Sequence, residues 1–503
     1  MATTPRSAQD NPSRVHDHEG FRNDDSTLSP GQPGMDHASS TADSVQERPP
    51  SSEDPANTGL ARVRKRGSFL ERCRRKAWLL PIIHTHFWYA ACFSLLGPYF
   101  SMLAVSRGLP AWNYGFVFLS FKIAMLIGSV FAERLMTYLK PSTVYLTAQG
   151  GYFFCSLAFG ILYWSPGGDV LLGLAITFAI FGGFFAVTYS VSVYSIVIER
   201  FTGNSGIIIA TFVCLWGIGS MTGPILGGVL IRLWDHPVPF FVIGAIMMLS
   251  FPVIAKRGPI PKGHRRVITD NNSSEQVEYC KAICDPVFLT AMVTVMLSGV
   301  IFGFNELTLA AYLHQVNLTT TEIGSVFLAQ CVSYCLGAVP VGIICDRDFD
   351  ELFMFIGQSL TAIAYLILGP APFLPVAPSL WMIYPSQVLT GFGLVCQFVS
   401  SYSLAHKRLL KKGYPDTVRT SGFVSTCFYT FLVFGSTAAS RIAGFVVERL
   451  GYRTASLHLF STLTLWAGVT FVVWLNTVYC NGSSTSGSDI SPKPTTTRRG
   501  DDT

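Results

Sequence analysis

The sequence predicts an all-α membrane protein: twelve transmembrane helices in two pseudo-symmetric six-helix halves. Three observations carry that class. Half of the 503 residues are apolar and 13% are charged, with a mean hydropathy of +0.40, a balance ordinary soluble domains do not show. The charges fall mostly in residues 1–76, 256–285, 406–419 and the tail after 477, and the apolar stretches between them reach the roughly 20 residues a bilayer crossing needs. The second half of the chain also repeats the first.

In order, the spans are 79–104, 113–138, 142–164, 170–196, 207–233 and 237–255, then 287–313, 322–345, 352–370, 379–405, 418–447 and 454–478. Lipid offers backbone polar groups no partner, so each span is read as a helix. The N-terminal segment 1–76 is acidic and Ser/Pro-rich up to about residue 60 and lacks the apolar core of a signal peptide; it reads as a disordered tail. It ends in a basic cluster, Arg62, Arg64, Lys65, Arg66, Arg72, Arg74, Arg75 and Lys76. With that cluster in the cytosol, about fifteen Lys/Arg fall on cytosolic connections against about four opposite. Both termini are then expected in the cytosol, and the tail 479–503 is expected disordered. The net charge of +6 is accounted for by this sidedness, so no nucleic-acid partner is expected; the bilayer is the partner, around a monomer. Twelve cysteines show no CxxC or Cys/His spacing and read as small packing residues, with no metal or other cofactor. Nothing pairs a nucleophile with a base, so an enzyme is not expected.

The polar connector 256–285 divides the six-helix segments 77–255 and 286–478. Gly115-Phe-Val-Phe-Leu119 recurs as Gly324-Ser-Val-Phe-Leu328, 209 residues later, and GSMTGPILGGVLIRL (219–233) recurs as GSTAASRIAGFVVER (435–449), 216 residues later. Where the first copy has Gly223, Pro224 and Gly227, the second has Ala439, Ser440 and Ala443. Two such halves imply a pseudo-two-fold along the membrane normal.

That architecture resembles the major facilitator superfamily, and three motifs carry the likeness. Gly342-Ile-Ile-Cys-Asp346-Arg347 resembles the family's loop motif after helix eight, where Asp346 and Arg347 pin helix ends; its first-half counterpart, AERLMTYLK (132–140), is degenerate. Gly223-Pro224-Ile-Leu-Gly227-Gly228 resembles the signature of proton-coupled antiporters. Gly219, Gly223 and Gly227 recur every four residues and draw one flat stripe along span five, suited to close approach and sliding of a neighbouring helix, with Pro224 as a bend point. LLGPYF (95–100), GFNELTLAAYL (303–313) and VSYCLGAVPVGIICDR (332–347) further resemble the vesicular amine transporter family, nearest its polyamine branch. On that resemblance Glu306 holds an ammonium group or the coupling proton and Tyr334 offers an aromatic face to a cation. Span one has His84, His86 and Tyr89 in the region where monoamine carriers place an acid, span eleven has no acid, and a family arginine of helix four stands as Ala179.

Charged residues deep in a span mark function. Lys122, Glu306 and Arg441 are the candidates, each about 9–14 Å below the luminal face at 1.5 Å per residue, with Glu306–Arg441 as the alternative structural ion pair. Polar stripes add Gln387, Thr390, Gln397 and Ser401 in span ten and Thr290, Thr294, Ser298 and Asn305 in span seven, as cavity lining or as interhelical glue. Asn317-Leu-Thr319 is a luminal sequon at a helix end; Asn271, Asn272 and Asn481 fall on the cytosolic side, and Ser68 follows a basic kinase-like stretch. The expected function is alternating-access exchange of luminal protons for a cytosolic organic cation, an amine or polyamine, across a vesicle or other endomembrane. Uniport or symport of another organic solute, and a non-transporting receptor or scaffold, are the rival functions.

Overall fold

The computed structural model describes residues 78–109, 111–201, 205–257, 281–369 and 379–486; the basic cluster, Ser68, Asn271 and Asn272 lie outside them. Twelve helices there are long and apolar enough to span a membrane. They are α1 (Leu79–Ser106), α2 (Ala111–Tyr138), α3 (Pro141–Ile161), α4 (Asp169–Glu199), α5 (Ser205–Leu233) and α6, in two pieces, Val238–Met248 and Phe251–Arg257. After the connector come α7 (Pro286–Gln315), α8 (Thr320–Cys345), α9 (Asp350–Leu368), α10 (Leu380–Lys411), α11 (Val418–Leu450) and α12 (Tyr452–Ser486). Each sequence-predicted span has its helix, displaced by a few residues at the ends; α12 departs most, running on past 478 to Ser486.

The ends are set by local chemistry. Asp285 caps α7, accepting from the N–H groups of Val287 at 3.0 Å and Phe288 at 3.1 Å, with Pro286 where a helix needs no N–H. Thr319 and Glu322 close a capping box on α8. Between α11 and α12 the chain turns on Gly451 alone, at φ 80°, a left-handed conformation that glycine adopts without a side-chain penalty.

The repeat is also a repeat of packing. Helix pairs α1/α5, α2/α4, α3/α4 and α3/α6 of the first half are matched by α7/α11, α8/α10, α9/α10 and α9/α12 of the second. Across the halves α5 packs on α8 and, reciprocally, α11 on α2. Rotating each partner by six helices maps one contact onto the other, which is what a pseudo-two-fold requires. Packing is continuous toward the face carrying the connector, where residues 186–198 of α4, 393–406 of α10 and 420–428 of α11 are buried without a break. Toward the far face of α4 only Leu171, Ala175 and Ala179 are buried among residues 169–181. The halves are therefore closed against each other on the connector side.

Candidate transport site

The glycine stripe of α5 lies on the backbone of α1. A methyl group added to Gly219 would collide with the carbonyl oxygen of Phe87 and lie 2.8 Å from Ala90 Cβ; one on Gly223 would collide with Ala91 O and Ser94 Oγ. At Gly227 it would meet the Tyr99 ring at 2.5 Å, whereas Gly228 faces only the Tyr99 hydroxyl at 3.4 Å. Tyr99 donates its hydroxyl proton to Pro224 O at 2.6 Å, fixing the register. The stripe thus welds two helices of the same half, and Gly228 stands outside the tight contact. In the second half Gly435 sits against Met296 O as Gly219 sits against Phe87 O, and positions 87 and 296 are again 209 apart. Further along, however, the contact glycines have changed helix: Gly299 and Gly303 of α7 meet Leu432 O and Ser436 O of α11.

Asp346 works across the halves. Its carboxylate accepts from Gly206 N at 2.7 Å and Ile207 N at 3.2 Å, capping the N-terminus of α5, where free N–H groups and the helix dipole favour an anion. Gly342 lets the two helices meet, since a methyl there would lie 2.6 Å from Ala210 Cβ and 2.8 Å from Gly206 O. Arg347, expected to share the pinning, is exposed. The cation in that role is Lys407 of α10, which donates to Cys345 O at 2.6 Å, Asp348 at 2.9 Å and Asp350 at 2.8 Å. Beside it Arg408 at 3.2 Å and Lys412 pair with Asp285. Burial acts to raise the Asp285 carboxyl, but hydrogen bonds from Lys412, Arg408 and the Phe288 N–H hold it down at about 2. In the first half the residue 209 before Asp346 is Thr137, and α11 carries its own cap, Thr417, in place of the missing acid.

Lys122 and Glu306 meet: Lys122 Nζ lies 2.5 Å from Glu306 Oε2 and 3.1 Å from Ser440 Oγ. The pair joins α2 of one half to α7 and α11 of the other. Glu306 is 52% exposed and Lys122 18%. Arg441 takes no part in an ion pair with Glu306; its guanidinium lies over the Phe116 ring, 5.6 Å from the centroid, which corrects the Glu306–Arg441 pairing. Ser440, which holds Lys122, occupies the repeat position of Pro224, so the proline-to-serine departure in the second copy supplies a ligand for the lysine.

Two polar candidates belong to helix packing. Gln397 is fully buried; it accepts from Ser298 Oγ at 2.6 Å and donates to Gly357 O at 3.0 Å and Thr361 Oγ1 at 2.9 Å. That corrects its placement on a cavity wall, because α10 turns this face toward α7 and α9. Asn305, one residue from Glu306 and so about 100° around the helix, accepts from Tyr365 OH at 2.7 Å and is likewise buried against α9. Thr294 accepts from Trp466 Nε1 at 2.9 Å. Gln387 is fully buried, its amide without a hydrogen-bond partner among the described residues.

Tyr334 is buried at the α5/α8 seam, where a methyl on Gly217 would lie 3.2 Å from its ring. Further tyrosines gather nearby that sequence reasoning missed. Tyr194 of α4 lies 5.9 Å, ring to ring, from both Tyr402 of α10 and Tyr429 of α11, and Phe398 joins Tyr334 at 6.3 Å. This aromatic layer closes the space between the halves on the connector side of the Lys122–Glu306 pair. Its signal in sequence was a tyrosine in each of four spans, none individually unusual.

Two matched six-helix halves around an intramembrane ion pair have the architecture of a polytopic secondary transporter. The sequence model of the Major Facilitator Superfamily matches residues 82–308 and 287–497, and the chain belongs to that superfamily; it is a multi-pass membrane protein and not an enzyme. Within the superfamily it is similar to the MFS-type transporter SLC18B1 of Homo sapiens, 25% identical over 375 residues covering 73% of this chain and 79% of that one, in line with the vesicular amine transporter resemblance. It is also similar to the multi-drug resistance efflux pump PmrA homolog of Lactococcus lactis, 23% identical over 77% of this chain and 93% of that one. In fold it matches a bacterial homologue of the iron transporter ferroportin in an outward-facing state, with a TM-score of 0.61 at 18% identity over 79% of this chain and 98% of the other. The human organic anion transporter MFSD10 (TETRAN) matches with a TM-score of 0.56 at 15% identity over 78% and 98%.

Proposed function

We propose that the protein exchanges protons for an organic cation, with Glu306 as the carboxylate that both compete for. The observation carrying this reading is that Glu306 is half exposed and held, among the described residues, by a single side-chain cation. A carboxylate in that setting can accept a proton, an ammonium group or Lys122, one at a time, and mutual exclusion is the minimal chemistry of antiport. The connector face is assigned to the cytosol, both termini with it, and the membrane to a vesicle or other endomembrane. The connector between two six-helix halves then serves as a cytosolic link. The test is uptake into proteoliposomes with and without an imposed pH gradient, across monoamines, quaternary amines and polyamines. Glu306→Gln should abolish gradient-driven uptake while leaving folding intact; undiminished uptake overturns the proposal.

A second reading, transport of an organic anion, is favoured by one observation: Lys122, Arg441 and Glu306 sum to one net positive charge, which attracts anions. Organic anions in the same panel separate the two.

A further inference from the structure

The Lys122–Glu306 contact is short, yet it has the features of a bond meant to be broken. Glu306 is 52% exposed, and water screens such a pair heavily. Lys122 has a second acceptor already in place: Ser440 Oγ lies 3.1 Å from Nζ and is itself held by Ser436 O at 2.8 Å. The ammonium can therefore leave Glu306 and remain hydrogen-bonded. The pair also crosses the halves, so any motion of one against the other acts on it.

We propose that Lys122 is a tethered stand-in for the transported cation, filling Glu306 whenever neither a proton nor a transported cation does. The inference rests on Glu306 being the cation's carboxylate, and it assigns to Lys122 a role in coupling. A bare carboxylate carried into a closing, low-dielectric site is strongly disfavoured. With Lys122 in place the empty carrier is neutral at Glu306 and can return. An incoming ammonium group displaces Lys122 onto Ser440, and release lets it fall back. Lys122 thereby lowers apparent affinity for the substrate and, when no proton occupies Glu306, lets the empty carrier return as a slip beside the coupled exchange. No bond is made or broken in this exchange of ionic partners.

The experiment uses the full-length protein in proteoliposomes, with radiolabelled spermidine, tetraethylammonium and tyramine as probes. Binding to wild type and Glu306→Gln comes first: no saturable binding of any probe to wild type, or equal binding by Glu306→Gln, overturns the underlying reading. Given that Glu306 binds a probe, Lys122→Met should lower its half-saturation concentration by up to about fivefold, the range expected of an exposed pair. It should keep cation-for-cation counterflow and slow net efflux into substrate-free alkaline buffer, where few protons are present to fill Glu306, by about tenfold or more. Lys122→Arg, whose planar fork holds a carboxylate more firmly, should raise the half-saturation concentration instead. Should Lys122→Met fail to fold, Lys122→Arg decides alone. Unchanged affinity in these variants, or an unchanged ratio of efflux to counterflow in Lys122→Met, overturns the role given to Lys122.

Discussion

Replacing Gly223 with alanine adds one methyl group, and the structure leaves no room for it. The new carbon would sit well inside 3 Å of Ala91 O and Ser94 Oγ, where ordinary C···O contacts are about 3.3–3.6 Å. Helices α1 and α5 must therefore part by about 1 Å, a gap that forfeits a quarter to a half of each dispersion contact along the seam. Overpacking of this kind costs about 1–3 kcal/mol, and breaking the Tyr99–Pro224 hydrogen bond adds about 1 kcal/mol. Gly444 is the internal control. It is the repeat partner of Gly228, sits in α11, and has nothing within 4 Å of an added methyl. There alanine should be neutral or stabilising by up to about 1 kcal/mol through helix propensity. Unfolding of the purified protein in mixed micelles, followed by circular dichroism, should separate the two variants clearly, and uptake should fall in Gly223→Ala alone. Gly223→Leu should be more severe. If Gly223→Ala matches Gly444→Ala in both stability and uptake, the α1/α5 seam is not the tight contact described.

Asp346→Ala removes the cap that one half places on α5 of the other and should cost about 0.5–2 kcal/mol; labelling of single cysteines on the connector side should increase, and unchanged labelling would remove the residue from the gate. Asp285 gives a pH signature. Its carboxyl is held at about 2 against an ordinary 3.8, so the stability it contributes is complete above about pH 4 and is lost as pH falls through about 2. The difference in unfolding midpoint between wild type and Asp285→Asn should shrink across that window; a constant difference would mean the ion pairs are not its source. Gln397→Leu removes the hydrogen bonds with Ser298 Oγ, Thr361 Oγ1 and the Gly357 carbonyl and should destabilise by about 1–3 kcal/mol with half-saturation for substrate unchanged. A shift in half-saturation at full stability would return Gln397 to the substrate site.

The spans, the repeat and the glycine contact were legible because each rests on a local rule: apolar length, self-similarity, or four-residue spacing. What those rules leave open is which neighbour a face meets. The stripe of Gln387, Thr390, Gln397 and Ser401 has the same periodicity whether it faces water or another helix, and only the placement of α9 against α10 decides that Gln397 is glue. Depth along the span put Lys122, Glu306 and Arg441 at one level, but angular position, which depth does not encode, selected Lys122 over Arg441 as the partner. Lys407 was within reach of sequence reasoning: the acid-rich run 346–351 and the basic run 406–412 both end helices on the same face. The tyrosine layer was not, since it is assembled from four helices distant in the chain.

The glycines of the two α1/α5-type seams bear on how such proteins are compared. The first half places its contact glycines on α5 alone, at Gly219, Gly223 and Gly227, while the second divides them between Gly435 on α11 and Gly299 and Gly303 on α7. What is held constant is the sum of the two surfaces, so a missing side chain on one helix can be traded for a missing side chain on its neighbour. A scan for the GPxxGG signature treats the property as belonging to one helix and passes over the second half, where the same backbone approach is achieved. Scored as a pair, with the bulk of α7 and α11 taken together, that half registers as equivalent. The single-helix motif is thus a sufficient sign of this close approach and not a necessary one, and the serine that took the place of Pro224 in the second copy was free to become a ligand for Lys122.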